Sequence, residues 1–252
     1  MPFDIEFVRQ SWRQPVSYFA TLDSTMLEAA RLAEAGCAHG TVVIADEQTA
    51  GQGRHGRRWH SEPGAGLYAS IVLRPDLCPD SLPVLTLALG LAAADAIADT
   101  SGLKCDLRWP NDVMLEGRKV AGILVQLLDS VAIAGIGINV NHVAFPTEIA
   151  GEATSLKIVS NRLYSREQLL VTLLEAVERN CGVLAGEDGR QKILMMFSRR
   201  SSYARNKRVT VEQGHSIVEG TTAGLDPSGF LILRKDDGTE DLVLAGGVRP
   251  VS

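Results

Sequence analysis

The sequence predicts an α+β fold: a mixed β-sheet flanked by helices in residues 1–204, then a small β-barrel in residues 205–252. Strand and helix patterns alternate early in the chain, and several strand patterns then follow one another without an intervening helix. Short strand patterns separated by turn residues make up the last segment. Consecutive strands joined by turns favour a mixed or antiparallel sheet over a doubly wound parallel sheet.

The first part of the chain contains three alternating apolar patterns, VSYFA, TVVIADE and LYASIVL, which predict strands. Between the first two, Thr25 to Ala35 has helical periodicity and ends before Gly36, a residue suited to a helix C-cap. The apolar run Leu82 to Ala98 contains Asp95 and is shorter than a membrane span of about 20 residues. It therefore predicts a buried helix, and no membrane partner is expected.

The later elements follow in order. VMLEGRKVAGILVQLL predicts a hairpin that turns at Glu116-Gly117, and VAIAGIGINV predicts another strand. Amphipathic helices are predicted over Arg166 to Leu184 and over Arg190 to Tyr203. The strand patterns RVTVEQ, SIVEGTTAGLD, GFLILRK and EDLVLAGGV then alternate with the turn signals Pro227-Ser228-Gly229 and Asp236-Asp237-Gly238. This spacing is typical of a small β-barrel.

Composition narrows the classes of function. The 252 residues are 45% hydrophobic and 22% charged, with a net charge of −5, as in an ordinary globular protein. A net negative chain argues against a general nucleic-acid binder. The four cysteines lack C-x-x-C spacing and no signal-peptide pattern opens the chain, so a reduced, cytoplasmic protein is expected. The histidines lack metal-ligand spacing, which predicts no protein-built zinc site.

The stretch AGQGRHGRRWH, residues 50–60, fits two phosphate-binding patterns. Gly51, Gly53 and Gly56 match the dinucleotide motif G-x-G-x-x-G, and the outer two also have the spacing of a phosphate-binding loop. Both interpretations require a helix that begins after the last glycine and holds the phosphate at its N-terminus. The following residues, RRWHSEPGAG, contain a proline and two glycines and cannot form that helix.

A long loop with three arginines remains as the interpretation of this stretch. Arg54, Arg57 and Arg58 lie in a segment without acidic residues between Glu47 and Glu62. Such a loop is suited to close over an anion, and repulsion between its cations predicts mobility while it is empty. A solvated basic loop is the alternative for this segment alone.

Two further stretches, RWPND at Arg108–Asp112 and GRKVAGIL at Gly117–Leu124, occur later in the chain. Together with GQGRHGRRW they resemble the hallmarks of the biotin protein ligase family, which are a GRGRRGR-type loop, a KWPND-type stretch and a K-[LV]-[AG]-G-[IV]-L strand, in the same order and spacing. The resemblance runs from about Tyr18 to the C-terminus. It departs at Gln52 and His55, where relatives often have arginine, and at Met26, where asparagine is common.

The resemblance implies a class II synthetase-like catalytic domain and an SH3-like C-terminal barrel. It also implies an ATP-dependent ligase that converts biotin to biotinyl-5'-AMP and transfers biotin to a lysine of a biotin carboxyl carrier protein. Mg²⁺ is expected with ATP, held partly through the phosphates, and no tightly bound prosthetic group is expected. Family members are monomers or homodimers.

The resemblance also implies the site residues. Lys119, Arg54 and Asp112 are expected to be catalytic, with Asp112 acting in acyl transfer. The biotin-binding residues are Ser24, Thr25, Gln48, Gly51, Gln52, Gly53, Arg54, Lys119, Gly122 and Gly135. The nucleotide-binding residues are Arg57, Trp59, Asn111, Lys119, Gly137 and Asn139, and no metal-ligating residue is expected.

Several of these residues also have structural interpretations. Thr25 and Glu28 fit a capping box, T-x-x-E, at a helix start. RWPND fits a plain turn, and Lys119 fits an edge position that faces water. Glycines within predicted strands, by contrast, indicate close approach by another group.

Three alternative functions stay open. A lipoyl or octanoyl ligase would share the fold and the two-step chemistry. A non-catalytic biotin-binding regulator fits poorly with the retained Arg54, Asp112 and Lys119. A DNA-binding repressor is disfavoured, because only 22 residues precede Asp23 and a domain with its own core needs at least about 40 residues. No specific operator binding is therefore expected.

Overall fold

In the computed structural model, which describes residues 3–74, 81–213 and 216–251, a seven-stranded mixed sheet carries the helices and adjoins a smaller antiparallel sheet. The order of the large sheet is β1-β2-β3-β7-β6-β5-β4. Its strands are β1 (Val16–Leu22), β2 (Val42–Gln48), β3 (Gly66–Leu73), β4 (Asp106–Arg108), β5 (Asp112–Leu115), β6 (Arg118–Leu128) and β7 (Val131–Asn139). Strands β1 and β2 pair in parallel and the other neighbours pair antiparallel, so the predicted mixed sheet is confirmed.

The helices cover both faces of this sheet. They are α1 (Ile5–Ser11), α2 (Thr25–Glu34), α3 (Leu82–Ser101), α4 (Thr147–Ala150), α5 (Leu156–Ser160), α6 (Arg166–Ala185) and α7 (Gly189–Arg200). Helix α2 packs on one face, where Met26, Val72 and Ile133 are buried together. Helices α3 and α6 pack on each other and enclose the main core on the opposite face.

Helix α3 is long and apolar enough to cross a membrane by length and composition. Most of its side chains are nevertheless buried against the sheet and α6, including Leu85, Leu89 and Ile97 at no more than 1% exposure. The prediction of a buried helix is therefore confirmed for this segment.

Local sequence explains the turns and caps that shape the site. The hairpin between β5 and β6 turns at Glu116 and Gly117 as predicted, and both residues have positive φ, 49° and 75°. The predicted capping box is wrong: Ser24 caps α2 through its hydroxyl, which accepts from the Met26 amide. Glu28 instead accepts two hydrogen bonds from Arg31, because the two residues lie one turn apart on the exposed side of α2.

The C-terminal strands are β8 (Arg205–Gln213), β9 (Ser216–Leu225), β10 (Leu231–Arg234), β11 (Glu240–Val243) and β12 (Gly247–Pro250). They form an antiparallel sheet in the order β11-β10-β9-β8-β12, with no ladder assigned between β11 and β12 among the described residues. The segment EDLVLAGGV, predicted as one strand, divides into β11 and β12 around Gly246, whose φ is 136°.

The smaller sheet rests on the larger one through specific contacts. Trp109 Nε1 donates to the Gly229 carbonyl at 2.9 Å, and apolar residues of β8 and β10 join the main core. Strand β8 begins at Arg205, and the division into domains of residues 1–204 and 205–252 stays a prediction.

Candidate active site

A groove lies on the same face of the sheet as α2, beyond the N-terminus of that helix. Side chains alternate between the two faces of a strand, so positions 131, 133, 135 and 137 of β7 share the α2 face. Val131 and Ile133 fill that face beneath α2, whereas the next two positions are Gly135 and Gly137. The absence of side chains at these two positions opens the groove.

Two adjacent cavities occupy this face. A small one of about 50 Å³ lies over the glycine floor, between Met26, Gln48, Trp59 and Lys119. A larger one of about 680 Å³ lies between the glycine-rich loop, the segment 145–153 and the C-terminal sheet. Five residues line both cavities: Gly53, Arg54, Trp59, Asn111 and Lys119. Two of the predicted cations, Arg54 and Lys119, therefore lie at the junction of the two cavities.

Polar groups at the head of the small cavity form a hydrogen-bonded chain. The Thr25 amide and hydroxyl both donate to Gln48 Oε1, at 2.9 and 3.1 Å. Ser70 Oγ donates to Thr25 Oγ1 at 2.8 Å, and Gln48 Nε2 donates to Ser61 Oγ at 3.2 Å. The chain fixes the orientation of the Gln48 amide toward the cavity. Sequence reasoning missed Ser70 and Ser61, since a lone serine carries no motif.

The floor of the small cavity lies so close to its neighbours that a Cβ added there would force the side chains above it to shift. A Cβ added at Gly122 would lie 2.8 Å from both Lys119 Cε and Trp59 Cζ3, and one at Gly137 would lie 2.5 Å from Trp59 Cε2. At Gly135 the added atom would lie 2.6 Å from Met26 Sδ. The strand glycines predicted from the sequence thus allow close approach of the groups above them.

An ion cluster marks the junction of the cavities. Lys119 Nζ lies 2.6 Å from Asp112 Oδ1, and Arg108 Nη2 lies 2.7 Å from Asp112 Oδ2. Burial raises the pKa of Asp112, but the charges of Lys119 and Arg108 outweigh it and hold that pKa below its ordinary value. Lys119 Nζ also lies 5.3 Å from the centroid of the Trp59 ring. Lys119 is therefore a paired cation of the groove, and the interpretation as a water-facing edge residue is wrong.

The glycine-rich loop is folded over the groove. The Gly53 amide donates to the Arg57 carbonyl at 2.7 Å, and the Trp59 amide donates to the Gly51 carbonyl at 2.9 Å, which gives the loop a hairpin-like base. His55 at the tip has a φ of 55°. Arg54 Nη1 donates to Asn111 Oδ1 at 3.1 Å and to the Gly246 carbonyl at 3.4 Å. Burial lowers the pKa of the Arg54 guanidinium, consistent with a desolvated cation.

The remaining predicted residues occupy different positions. Arg57 and Asn139 line the large cavity, while Gln52 and Gly137 line the small one. Asn139 Nδ2 donates to the Thr154 carbonyl at 3.0 Å and thereby holds the segment that borders the large cavity. Ser24 and Gly51 line neither cavity: Ser24 is fully buried as the cap of α2. Arg108 belongs to the RWPND stretch, but the sequence did not predict that it would pair with Asp112 in the ion cluster.

A second cluster lies beside the large cavity. His60, Glu62 and His142 each offer one potential ligand atom, and these atoms lie within 4.8 Å of one another. Burial, and secondarily the neighbouring His60, lowers the pKa of His142 to about 4. The prediction of no protein-built zinc site was based on ligand spacing along the chain. The fold instead brings together potential ligands from two separate segments.

The loop is tied to the C-terminal sheet by an ion-pair chain. Arg57 Nη2 lies 3.0 Å from Glu212 Oε2, Glu212 Oε1 lies 3.6 Å from Arg249 Nε, and Arg249 pairs with Glu152 at 2.5 Å. The chain crosses the mouth of the large cavity from the loop to Glu152, which follows α4. It therefore connects the closed state of the loop to a residue of β8.

Replacing Glu212 with glutamine is expected to open the loop more often. Because the Arg57 and Glu212 side chains are 62% and 41% exposed, the pair contributes no more than about 1 kcal/mol, or about fivefold in the open population. Limited trypsin cleavage at the loop arginines, followed by mass spectrometry, measures this change. Glu219→Gln on β9 is the matched control, since Glu219 pairs with Arg208. Equal cleavage of both variants would exclude Glu212 as a tie.

Comparison with known proteins identifies families and relatives that are similar to this chain in sequence. Residues 18–142 match the model of the biotin/lipoate A/B protein ligase family, and residues 206–247 match the biotin protein ligase C-terminal domain. The bifunctional ligase/repressor BirA of Bacillus subtilis is 34% identical over 239 residues, covering 92% of this chain and 73% of the relative. The biotin--[acetyl-CoA-carboxylase] ligase of Mycobacterium tuberculosis is 33% identical over 247 residues, covering 94% and 88%.

A solved structure extends the similarity to three dimensions. The biotin protein ligase from Aquifex aeolicus, in complex with biotin and ATP, superposes with a TM-score of 0.83 at 30% identity. The match covers 94% of this chain and 99% of that structure. With both parts of the chain matched and relatives covered over most of their length, this chain belongs to the biotin protein ligases of the biotin/lipoate A/B protein ligase family.

Proposed function

We propose that this protein is an ATP-dependent biotin protein ligase that activates biotin to biotinyl-5'-AMP and transfers biotin to a lysine of a biotin carboxyl carrier protein. One observation carries the proposal: Lys119 and Arg54 line both the small and the large cavity. A carboxylate extending from the small cavity and an α-phosphate held in the large one would meet beside these two cations. The relatives named as biotin ligases support the same function.

In the first step, a carboxylate oxygen of biotin attacks the α-phosphorus of ATP, the P–O bond to the leaving group breaks, and pyrophosphate departs. Two anions approach each other in this step, so fixed cations stabilise the transition state. Lys119 is held by Asp112 and Arg54 by Asn111. These contacts orient the cations before substrate arrives, which limits reorganisation during the reaction.

In the second step, the neutral amine of the acceptor lysine attacks the acyl carbon, AMP leaves with the bonding electron pair, and the nitrogen releases one proton to solvent to give the neutral amide. A carboxylate whose pKa is depressed is a weak proton acceptor. The lowered pKa of Asp112 therefore supports a role in orienting the acceptor lysine and Lys119 more than a role as general base.

We propose that Mg²⁺ enters with the nucleotide and is held through its phosphates. Glu152 and Glu212, which border the large cavity, are paired with Arg249 and Arg57. Asp112 is paired with two cations. These residues do not offer an all-protein cage of free oxygens, and Mg²⁺ bound to nucleotides needs none.

A substrate competition tests the proposal. The purified chain, ATP, Mg²⁺ and a biotin carboxyl carrier domain are expected to incorporate radiolabelled biotin into the carrier, with no comparable incorporation of radiolabelled lipoate. A carrier with its acceptor lysine replaced by arginine is the control. Preferential incorporation of lipoate would establish the lipoyl ligase instead, and binding of biotin without pyrophosphate release would indicate a non-catalytic regulator.

A further inference from the structure

The cluster of His60, Glu62 and His142 lies outside the groups assigned to biotin, ATP or catalysis. His60 and Glu62 follow the glycine-rich loop, whereas His142 lies just beyond β7. One potential ligand atom from each residue lies within 4.8 Å of the other two. Two imidazoles and one carboxylate, brought together from two separate segments, form a typical set of ligands for zinc.

The hydrogen bonds of Tyr68 favour one arrangement of the proton on His142. Tyr68 Oη donates its single proton to the Glu62 carbonyl at 3.1 Å and accepts from the Glu62 amide at 2.9 Å. His142 Nε2 lies 3.2 Å from the same oxygen. With the phenolic proton on the Glu62 carbonyl, Nε2 is the donor in this contact. In that tautomer the neutral imidazole has a bare lone pair on Nδ1.

That lone pair has no partner within the described residues. His142 is 0% exposed, and its Nδ1 is a buried nitrogen without a hydrogen bond. A buried acceptor without a partner costs about 1–3 kcal/mol, so such atoms call for an explanation. A metal ion supplies the partner that Nδ1 lacks. The Nε2–H to Tyr68 contact is then the outer hydrogen bond that metal-bound histidines ordinarily make.

The other two ligands are accessible and poorly engaged. His60 and Glu62 are partly buried, and the described hydrogen bonds and ion pairs include none that uses the Glu62 carboxylate. Phe145 stacks on the His142 ring with centroids 4.9 Å apart and lies 6.3 Å from the His60 ring. The cluster thus has an apolar cover on one side and opens toward the large cavity, which His60 and Phe145 line.

We propose that His60, Glu62 and His142 bind a divalent transition-metal ion of the zinc class, with His142 contributing Nδ1. Bonds of about 2 Å place the ligands of tetrahedral zinc about 3.4 Å apart, so the two partly buried side chains close by about 1 Å. Water fills the fourth position. Imidazole ligands select against Mg²⁺, which prefers oxygen. The ion pins the segment after the glycine-rich loop to the end of β7.

Metal binding can be measured without biotin or ATP, so the result is independent of the proposed function. Chelator-treated protein in excess Mg²⁺ is titrated with zinc chloride by calorimetry, and metal content is measured after dialysis. Wild type is expected to retain one equivalent of zinc. His60→Ala and Glu62→Gln are expected to bind at least about tenfold more weakly, and both should lose the tetrahedral absorption bands of bound Co²⁺.

His39→Ala is the matched control, because His39 is exposed and its ring accepts only from the Arg74 amide among the described contacts. This variant should bind zinc as wild type does. The decisive variants alter partly buried side chains and leave the core residue His142 in place, which preserves folding. The proposal is overturned if wild type retains no stoichiometric zinc, or if His60→Ala and Glu62→Gln bind zinc with unchanged affinity.

Discussion

Replacing Lys119 with alanine is expected to lower the rate of biotinyl-AMP formation by about 10²–10³, the effect typical of removing one charged or hydrogen-bonding group that stabilises a transition state. Lys119 Nζ lies 2.6 Å from Asp112, and Lys119 lines both cavities. Its charge therefore acts where the biotin carboxylate and the α-phosphate meet. Because the charge on the reacting oxygens increases during attack, kcat should fall more than KM rises. Pyrophosphate release in single-turnover assays measures the loss.

The control for this prediction lies on the same strand. Arg118 precedes Lys119 in β6, so its side chain points to the opposite face of the sheet. Arg118→Ala removes an equal charge and should leave adenylation near normal. Circular dichroism checks that both variants are folded. Near-normal pyrophosphate release by folded Lys119→Ala would remove Lys119 from the mechanism.

Arg54→Gly is expected to release the adenylate and biotinylate bystander proteins. Biotinyl-AMP is a mixed anhydride that water or an exposed lysine can attack, so the closed loop must shield it. Arg54 bonds to Asn111 and to the Gly246 carbonyl, which anchors the loop across the groove. Loss of a charge-assisted hydrogen bond costs about 1.5–3 kcal/mol, so retention of the adenylate should fall by about ten- to a hundredfold. Gln52, a neutral residue, supplies no second cation.

A bystander assay measures this escape. Wild type and variant are incubated with biotin, ATP, Mg²⁺ and albumin, and labelled albumin is quantified. His55→Gly is the matched control, because it adds a glycine to the same loop at an exposed position and keeps Arg54. If His55→Gly labels albumin as strongly as Arg54→Gly, loop flexibility rather than the arginine controls escape. Equal labelling by wild type and Arg54→Gly, with adenylate synthesis intact, would contradict the role of Arg54 as an anchor.

The sequence predicted the elements whose signals are local. The long helices, the Glu116-Gly117 hairpin and the central strands follow from periodicity and turn residues, and the structure confirms them. Short elements such as α1, α5 and β4 were missed, because a few residues show too little periodicity. The division of EDLVLAGGV into two strands was also missed, since it depends on pairing with β8 and β10.

The sequence predicted only those parts of the candidate site that have a local signal. Motifs identified Arg54, Asp112 and Lys119, which the fold brings to one junction of cavities. No local pattern could indicate that Ser70 would meet Thr25, or that Glu212 would meet Arg57 across 155 positions of the chain. The histidine cluster was missed because reasoning from spacing considers neighbours along the chain, whereas tertiary packing determines its geometry.

The glycine floor of the small cavity limits how this enzyme could be redesigned for bulkier analogues of its acid substrate. Gly122, Gly135 and Gly137 have no side chain left to remove, so the floor can become shallower but never deeper. Additional volume has to come from the side walls, where Met26 Sδ and the Trp59 indole lie against the floor. Met26 is the better position to shorten. Trp59 lies at the base of the glycine-rich loop, and a smaller residue there would also weaken the packing of that loop. An engineered pocket would therefore begin at the helix side of the groove.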